Sequence, residues 1–367
     1  MDKKFILEYL DTPSPVMYET RGQALWAETL RPYVDEVSSD NYGNICGLIK
    51  SRNRDNYDLP FSVMLDAHAD EISYIVNEIS DNGLIHPIKN GGSDIQLALS
   101  KDVIILSKDS FGNPVEIDGY FGWLPIHHKD KDHENIKPER KNIFIDIGCS
   151  TKEEVLAKGI KIGDPIIYNV KARFINKKNI VGKSLDDKIG GIINLEVAKL
   201  LKQNQIELPY DLYIVNSVQE EVGAFGAQIA VKQIKPDIAL VFDAFFDATN
   251  PLFDDSKKLI GSTAKLGDGV IIMNGSCVQK NLRQLIINAA IENDVKHTLG
   301  HSTGFGGTNA DRIFTDNIVT ALLSIPLKYM HTTVETVCID DVQEAINLLF
   351  FALQKIEYMH DFRYHRF

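Results

Sequence analysis

The period of the apolar positions changes along the chain, and the changes divide it. An amphipathic stretch opens at Phe5-Ile6-Leu7, a helix is predicted around 22–30, and short apolar runs near 47–50 and 62–65 read as strands. From about 74 to 170 the pattern turns into short β runs separated by tight turns. Asp81-Asn82-Gly83 divides 74–79 from 84–88, and Phe111-Gly112-Asn113 divides 103–106 from 115–117, both as in hairpins. After 170 the helical period returns: Ile189, Ile192, Ile193, Val197, Leu200 and Leu201 form one stripe along 188–202. A buried strand at 212–218, a helix at 224–234 and a further buried strand at 238–242 follow. Alternation of this kind signals a parallel sheet covered by helices. The predicted class is therefore α/β: a mostly parallel sheet flanked by helices, built from 1–72 and 173–367, with a β-barrel-like domain, 73–172, inserted in the chain.

Composition narrows the function. The chain has 367 residues, 44% hydrophobic and 25% charged, as ordinary globular proteins have, and its length suits about two domains. No apolar run is long enough to cross a bilayer, and the N-terminus has no signal-peptide apolar core, so no membrane partner and a cytoplasmic location are expected. A formal net charge of −12 argues against a nucleic-acid partner, which requires a basic face. Cys46, Cys149, Cys277 and Cys338 are far apart and form no CxxC, so they read as reduced thiols, neither a disulfide frame nor a zinc knuckle.

Several candidate chemical residues stand at the ends of apolar strands, and in open parallel sheets the carboxyl edge is where ligands bind. In Met64-Leu65-Asp66-Ala67-His68-Ala69-Asp70-Glu71 the strand period puts Asp66, His68 and Asp70 on one face, so Asp70 can accept the free ring N–H of His68. The alternative is a polar strand end with a surface histidine. Asp186, in Ser184-Leu185-Asp186-Asp187-Lys188, reads by itself as a helix N-cap. Gly182-Lys183-Ser184 looks like the tail of a phosphate loop, but Lys177 stands where such a loop needs glycine, which excludes the nucleotide reading.

Glu220 and Glu221 follow the buried 212–218 strand. Neighbouring carboxylates there repel and are costly to desolvate, so cations are expected beside them, and Gly223 can allow the turn that lets both face one site. Asp243 ends a further apolar strand, and His331 lies in Ile325-Pro326-Leu327-Lys328-Tyr329-Met330-His331; each alone is weak, a cap or a satisfied polar residue. Together, two His, two Asp and a Glu make five ligand positions, enough for two three-ligand sites if one Asp bridges. Their charge of −3, with −1 from Glu220, balances two dications. Nitrogen and oxygen donors without cysteine suit zinc first, or cobalt or manganese.

The succession HADE, SLDDKIGG, QEEVGAFGA, a strand ending in FDA, GFGGTNA and IPLKYMH, after the opening Ser14-Pro15-Val16-Met17-Tyr18-Glu19, resembles the glutamyl and deblocking aminopeptidases, the tetrahedral aminopeptidase family, nearly from end to end. The resemblance implies a zinc-exopeptidase-like fold and two co-catalytic divalent ions per subunit. His68 and Asp243 would hold one ion, Glu221 and His331 the other, and Asp186 would bridge them. Glu220 would be the general base and Asp70 would support His68. It also implies a cis peptide after the bridging Asp, and an inserted domain that assembles subunits into homo-oligomers, dimers building a larger particle such as a dodecamer. The chain departs from the family at Asn309, where GGTDA has Asp, at Val16-Met17, where the family has Ser-Gly, and around Lys328–Glu335; none of these removes a ligand or the base.

In the mechanism expected from this set, two metals share a water and lower its pKa, and Glu220 takes the proton. The substrate is a peptide cut one N-terminal residue at a time. A glycosidase, a label attached to some of the family, could use paired carboxylates but has no need of the histidines. A metal-dependent deacylase or carboxypeptidase shares the metal chemistry and stays open at this level, and so does a catalytically silent assembly protein. The tract from His127 to His133 reads as a charged loop, and the glycines of 300–307 as backbone lining a site.

Overall fold

The computed structural model describes residues 1–51, 61–128, 136–253, 261–302, 307–357 and 362–364. Two compact units emerge from the contacts within the chain. One comprises Met1–Asp70, Ala172–Met330 and Val334–Phe367; the other comprises Glu71–Lys171 with His331–Thr333.

The first unit is organised on an eight-stranded sheet, in the order Glu36–Ser39, Ile45–Ile49, Asp211–Ser217, Ser62–His68, Ile238–Phe246, Val319–Leu327, Val270–Asn274, His297–His301. Its four central strands run parallel. Ile45–Ile49 is antiparallel to both neighbours, and Val270–Asn274 is antiparallel to Val319–Leu327. The apolar runs at the centre make strands longer than expected from hydrophobicity alone, reaching His68 and Phe246.

Strand side chains alternate between faces, and both faces here are covered. Val63, Leu65 and Ala67, with Leu240 and Phe242, belong to the larger core, packed with Ile189, Ile192 and Ile193 of the helix Leu185–Gln203 and with the helix Ile339–Lys355. Met64, Ala239 and Val241 point the other way, into a smaller core with Ala227, Ala230 and Val231 of the helix Phe225–Ile234. Continuous apolar strands are the consequence of burial on two sides. A short three-stranded sheet, Arg173–Ile175, Asn179–Gly182 and Glu335–Cys338, belongs to the same unit.

The second unit contains a closed six-stranded barrel: Ser73–Ile79, Ile85–Asn90, Phe144–Asp146, Pro114–Gly122, Asp102–Lys108 and Pro165–Tyr168. Both predicted hairpins are present as antiparallel pairs. Gly83 (φ +81°) and Gly112 (φ +86°) supply the left-handed turn positions that a Cβ would disfavour. Tyr74, Val76, Ile105, Phe121 and Ile145 fill the interior. Ile126–His128 forms a short 3-10 turn, and Lys129–His133 of the histidine-containing tract lies outside the described residues, as do Gly304 and Gly306. Among the described residues no helix is long and apolar enough to cross a membrane.

The two-layer packing makes burial, and not residue type, set the cost of truncation. Ile192 is fully buried against the sheet, whereas Ile291 is 65% exposed on the helix Lys280–Glu292. Ile192→Ala is expected to cost about 2–5 kcal/mol, and Ile291→Ala less than about 0.5 kcal/mol. Urea denaturation of the two variants measures the difference; equal losses would contradict this layering.

Candidate metal centre

The parallel strands deliver their carboxyl ends to one edge of the sheet. Ser217 pairs in register with His68, and Val241 with Asp66, so two residues further on Asp243 stands level with His68. Asp70 lies just past the strand. Its carboxylate stands near the His68 ring and has other partners as well. Its carboxylate oxygens accept the backbone N–H groups of Glu220 and Glu221, at 3.0 Å each. The His68 Nδ1 lies 3.2 Å from the Asp70 carbonyl oxygen and 3.4 Å from Oδ1.

The turn carrying Glu220 and Glu221 is held at both ends by Asn44, whose Oδ1 accepts from Val218 N–H at 2.9 Å and whose Nδ2 donates to the Gly226 carbonyl at 3.0 Å. Gly223 has φ +133°, the glycine geometry expected from the sequence, but Gln219 (φ +59°) and Ala224 (φ +57°) are left-handed as well. A Cβ on Gly226 would stand 2.1 Å from the Val218 carbonyl oxygen, so the turn closes too tightly for any side chain there.

Asp186 is not the helix cap that its position suggests. Asp186 and Asp187 both have non-helical backbone angles, and the peptide between them is cis. Asp187 takes the capping part, its Oδ1 accepting from Gly190 N–H three residues on at 3.2 Å. Asp186 thereby presents its carboxylate elsewhere, while its own N–H donates to the buried Glu335 carboxylate at 3.2 Å.

His68, Asp186 and Asp243 each offer a ligand atom, all within 4.8 Å of one another, and all three residues are buried. His68 Nε2 is 3.4 Å from Asp186 Oδ1 and 3.9 Å from Glu220 Oε2. Asp186 and Glu221 also offer ligand oxygens within 4.8 Å of one another. His331, with φ +60°, directly follows Met330 in the chain; its Nδ1 lies 3.1 Å from the Gly92 carbonyl within the second unit.

Crowding shows in the proton affinities. Burial, then the charges of neighbouring carboxylates, push Glu220 up to about 9 against the opposing pull of His68. Burial and Asp186 push Asp243 up to about 7, moderated by His68 and the Thr308 hydroxyl. Burial drives Asp187 well above the usual carboxylate range, with Asp243 adding to the rise. Burial also opposes charge on His68, but hydrogen bonds to Asp186 and Asp70 outweigh it and raise its affinity for a proton. Crowded carboxylates that hold protons at neutral pH, beside an imidazole, are a hard-to-borderline N/O donor set, and such a set fits a divalent cation.

Asn309, where the resembling family has Asp, lies in this layer. Its Nδ2 donates to Asp66 Oδ2 at 2.7 Å and approaches Ser217 Oγ at 2.8 Å. Asp66 is fully buried two residues before His68, so the chain places an amide donor, and not a second carboxylate, against it. Asn44, Glu335 and the Asp66–Asn309 pair are the contributors that sequence reasoning left without a role. Glu335 closes the His331 motif in the sequence, but its partner Asp186 lies far away in the chain.

The carboxyl edge of this sheet thus gathers carboxylates and a histidine whose chemistry fits a divalent cation. Residues 43–348 match the model of the M42 glutamyl aminopeptidases, and the chain belongs to that family. It is therefore a peptide-bond hydrolase with aminopeptidase relatives. The lysyl aminopeptidase of Pyrococcus furiosus is 29% identical over 363 residues, covering 98% of this chain and 99% of the relative. The structure of a TET aminopeptidase from a marine-sediment Thaumarchaeota archaeon superposes with a TM-score of 0.87 at 26% identity, covering 97% of each chain. The Pyrococcus horikoshii TET1 peptidase, which can assemble into a tetrahedron or a large octahedral shell, gives a TM-score of 0.81 at 26% identity, covering 96% of this chain and 98% of the other.

A cation held by Asp243 would have to displace its proton. Asp243 and Glu220 rise from ordinary values of 3.8 and 4.5 to about 7 and about 9, so without metal the folded state holds protons that the unfolded chain releases. Their contribution to metal-free stability is full below the ordinary values and is lost as pH rises through that window. Added zinc should therefore raise the melting temperature more at about pH 7.5 than at about pH 5.5. Differential scanning fluorimetry measures it; a shift that did not grow with pH would contradict the competition.

Proposed function

We propose that the chain is a dinuclear metal-dependent aminopeptidase in which His68 and Asp243 hold one divalent ion, Glu221 and His331 a second, and Asp186 bridges them. The observation that carries this reading is the buried His68–Asp186–Asp243 trio, whose ligand atoms lie within 4.8 Å of one another. The closeness of Asp186 to Glu221 supports the shared role of Asp186. The place of His331 in the Tyr-Met-His motif supports it as the remaining ligand. Zinc suits the donors first, with cobalt or manganese as alternatives.

Divalent ions so held would acidify a water and polarise the scissile carbonyl. Glu220 is the proposed general base: it is largely buried and its carboxyl faces His68, which places it to take a proton at the edge where the ions would sit and then give it to the departing amine. Asp70 fixes the direction of both glutamates through their amides and stands against the His68 ring. The free α-amine of a peptide would anchor near the centre, and the aminopeptidase relatives favour removal of single N-terminal residues over a carboxypeptidase or deacylase reaction. The histidine in the donor set favours peptide over glycoside hydrolysis. The inserted part, 73–172, supplies none of these side chains, and we assign it to subunit contacts in a closed homo-oligomer, on the strength of the likeness to TET1.

Glu220→Gln is expected to lower kcat on aminoacyl chromogenic substrates by about 10²–10⁴-fold while metal content stays at the wild-type level. Glu221→Gln should instead weaken metal binding. Kinetics beside elemental analysis of both variants test the assignment; identical behaviour would show that base and ligand have been confused, and full activity of the wild type in strong chelator would overturn the metal reading.

A further inference from the structure

His331–Thr333 belong by their contacts to the second unit, although Met330 and Val334 on either side of them belong to the first. The inserted unit, which supplies none of the proposed side chains, thus has hold of one of the histidines. The contact is made by a turn that follows the strand Ile85–Asn90. Gly91 there is left-handed (φ +92°) and its carbonyl accepts from Ser93 N–H at 3.1 Å. Asp94 then caps the short helix Ile95–Ala98, accepting from Gln96 N–H at 2.9 Å. Between these fixed points the Gly92 carbonyl oxygen meets His331 Nδ1 at 3.1 Å. A carbonyl oxygen carries no proton, so the ring nitrogen facing it must be the donor, and the lone pair of the neutral imidazole is then on Nε2. Gly92 also lies very close to the ring. A Cβ built on it would stand 2.5 Å from Nδ1 and 2.7 Å from Cε1, and the three atoms nearest to that Cβ all belong to the His331 imidazole. Gly92, unlike Gly91, is not left-handed, so the turn itself would accept alanine and only the ring stands in the way.

We infer that Gly92 is a positioning residue for the second ion: its carbonyl fixes His331 as the Nδ1–H tautomer, leaving Nε2 to face the cation, and its missing side chain makes room for the ring. The inference rests on the reading of His331 as a ligand and deepens it by naming the ligand atom. It also gives the inserted unit a part in the metal chemistry beside subunit contacts. Acceptors that orient a ligand histidine in this way are worth about 10–100-fold in metal affinity. A main-chain carbonyl cannot be removed by substitution, but a methyl group at 92 would push the imidazole off it. His68, Asp186 and Asp243 are untouched by that change, so the loss belongs to the second ion alone.

The test uses the full-length protein, stripped of metal and titrated with zinc. His331→Ala should retain about one tightly held ion per chain, as the loss of a ligand to the second requires. Gly92→Ala should bind the second ion about 10-fold or more weakly, with the first at wild-type affinity. In the double variant G92A/H331A zinc binding should match that of H331A, because Gly92 acts through the ring. Should G92A fail to fold, the wild type still decides. Nitrogen NMR of metal-free protein labelled in its histidine rings, at about pH 8.5 where an ordinary imidazole is neutral, should show His331 protonated at Nδ1, its signal assigned by its absence from H331A. A ring protonated at Nε2, a G92A variant that keeps the second ion at wild-type affinity, or one that loses both ions alike would overturn the inference while leaving His331 a ligand. Two ions held by H331A at wild-type affinity would overturn the ligand reading and this inference with it.

Discussion

Repulsion among buried carboxylates at one edge of the sheet is the constraint on which the rest of the structure depends. Asp187 feels the charges of Asp243 and Asp186, Glu220 those of Asp243 and Glu221, and Asp243 that of Asp186, and in Asp187, Glu220 and Asp243 burial is the first cause of the raised proton affinity. Two like charges about 4 Å apart repel by about 4 kcal/mol at an effective dielectric near 20. A few such pairs equal the 5–15 kcal/mol that holds a typical domain folded. The carboxylates therefore either keep protons or share cations, and a centre that must turn over near neutral pH is better served by cations. One imidazole, His68, cannot balance the set.

The fold meets this constraint by rigidity from behind. Strands buried on both faces fix the register that brings His68 and Asp243 level. The side chains at this edge then satisfy backbone groups: Asn44 binds the two ends of the Val218–Gly226 turn, Asp70 binds the Glu220 and Glu221 amides between, and Glu335 binds the amide of Asp186. A polar backbone group buried without a partner costs roughly 1–3 kcal/mol, so these acceptors stabilise the turns as well as direct them. The same carboxylates that would be a burden facing the centre are useful where they face amides. Asp187, relieved of any part in the metal trio, caps the helix behind it.

The outline of this arrangement was legible because it is periodic or local. Ile189, Ile192 and Ile193 announced the helix that covers the sheet, and the Asn-Gly and Gly-Asn turns announced the barrel hairpins. His68, Asp186 and Asp243 were recognisable as strand-end or strand-flanking donors, and the chain does bring their ligand atoms within 4.8 Å. What stayed hidden depends on distant partners. Strand alternation put Asp70 beside the His68 ring, but its oxygens are occupied by amides 150 and 151 residues away. Nothing in Gln219 signals a left-handed backbone, which is rare outside glycine, because Asp70, the acceptor that holds the next two amides, lies about 150 residues earlier. The capping rule could not separate Asp186 from Asp187, since adjacent aspartates look alike until the backbone between them is known. Asn309 reads in the sequence as a lost carboxylate, and only the fold puts Asp66 against it.

The claim that cations balance these carboxylates is tested most directly by counting them. Protein loaded with zinc and freed of excess metal by gel filtration should carry about two ions per chain by elemental analysis, and Asp186→Ala, lacking the shared carboxylate, should carry close to none. A wild type with no bound metal, or an Asp186→Ala variant that retains both ions, would contradict the account.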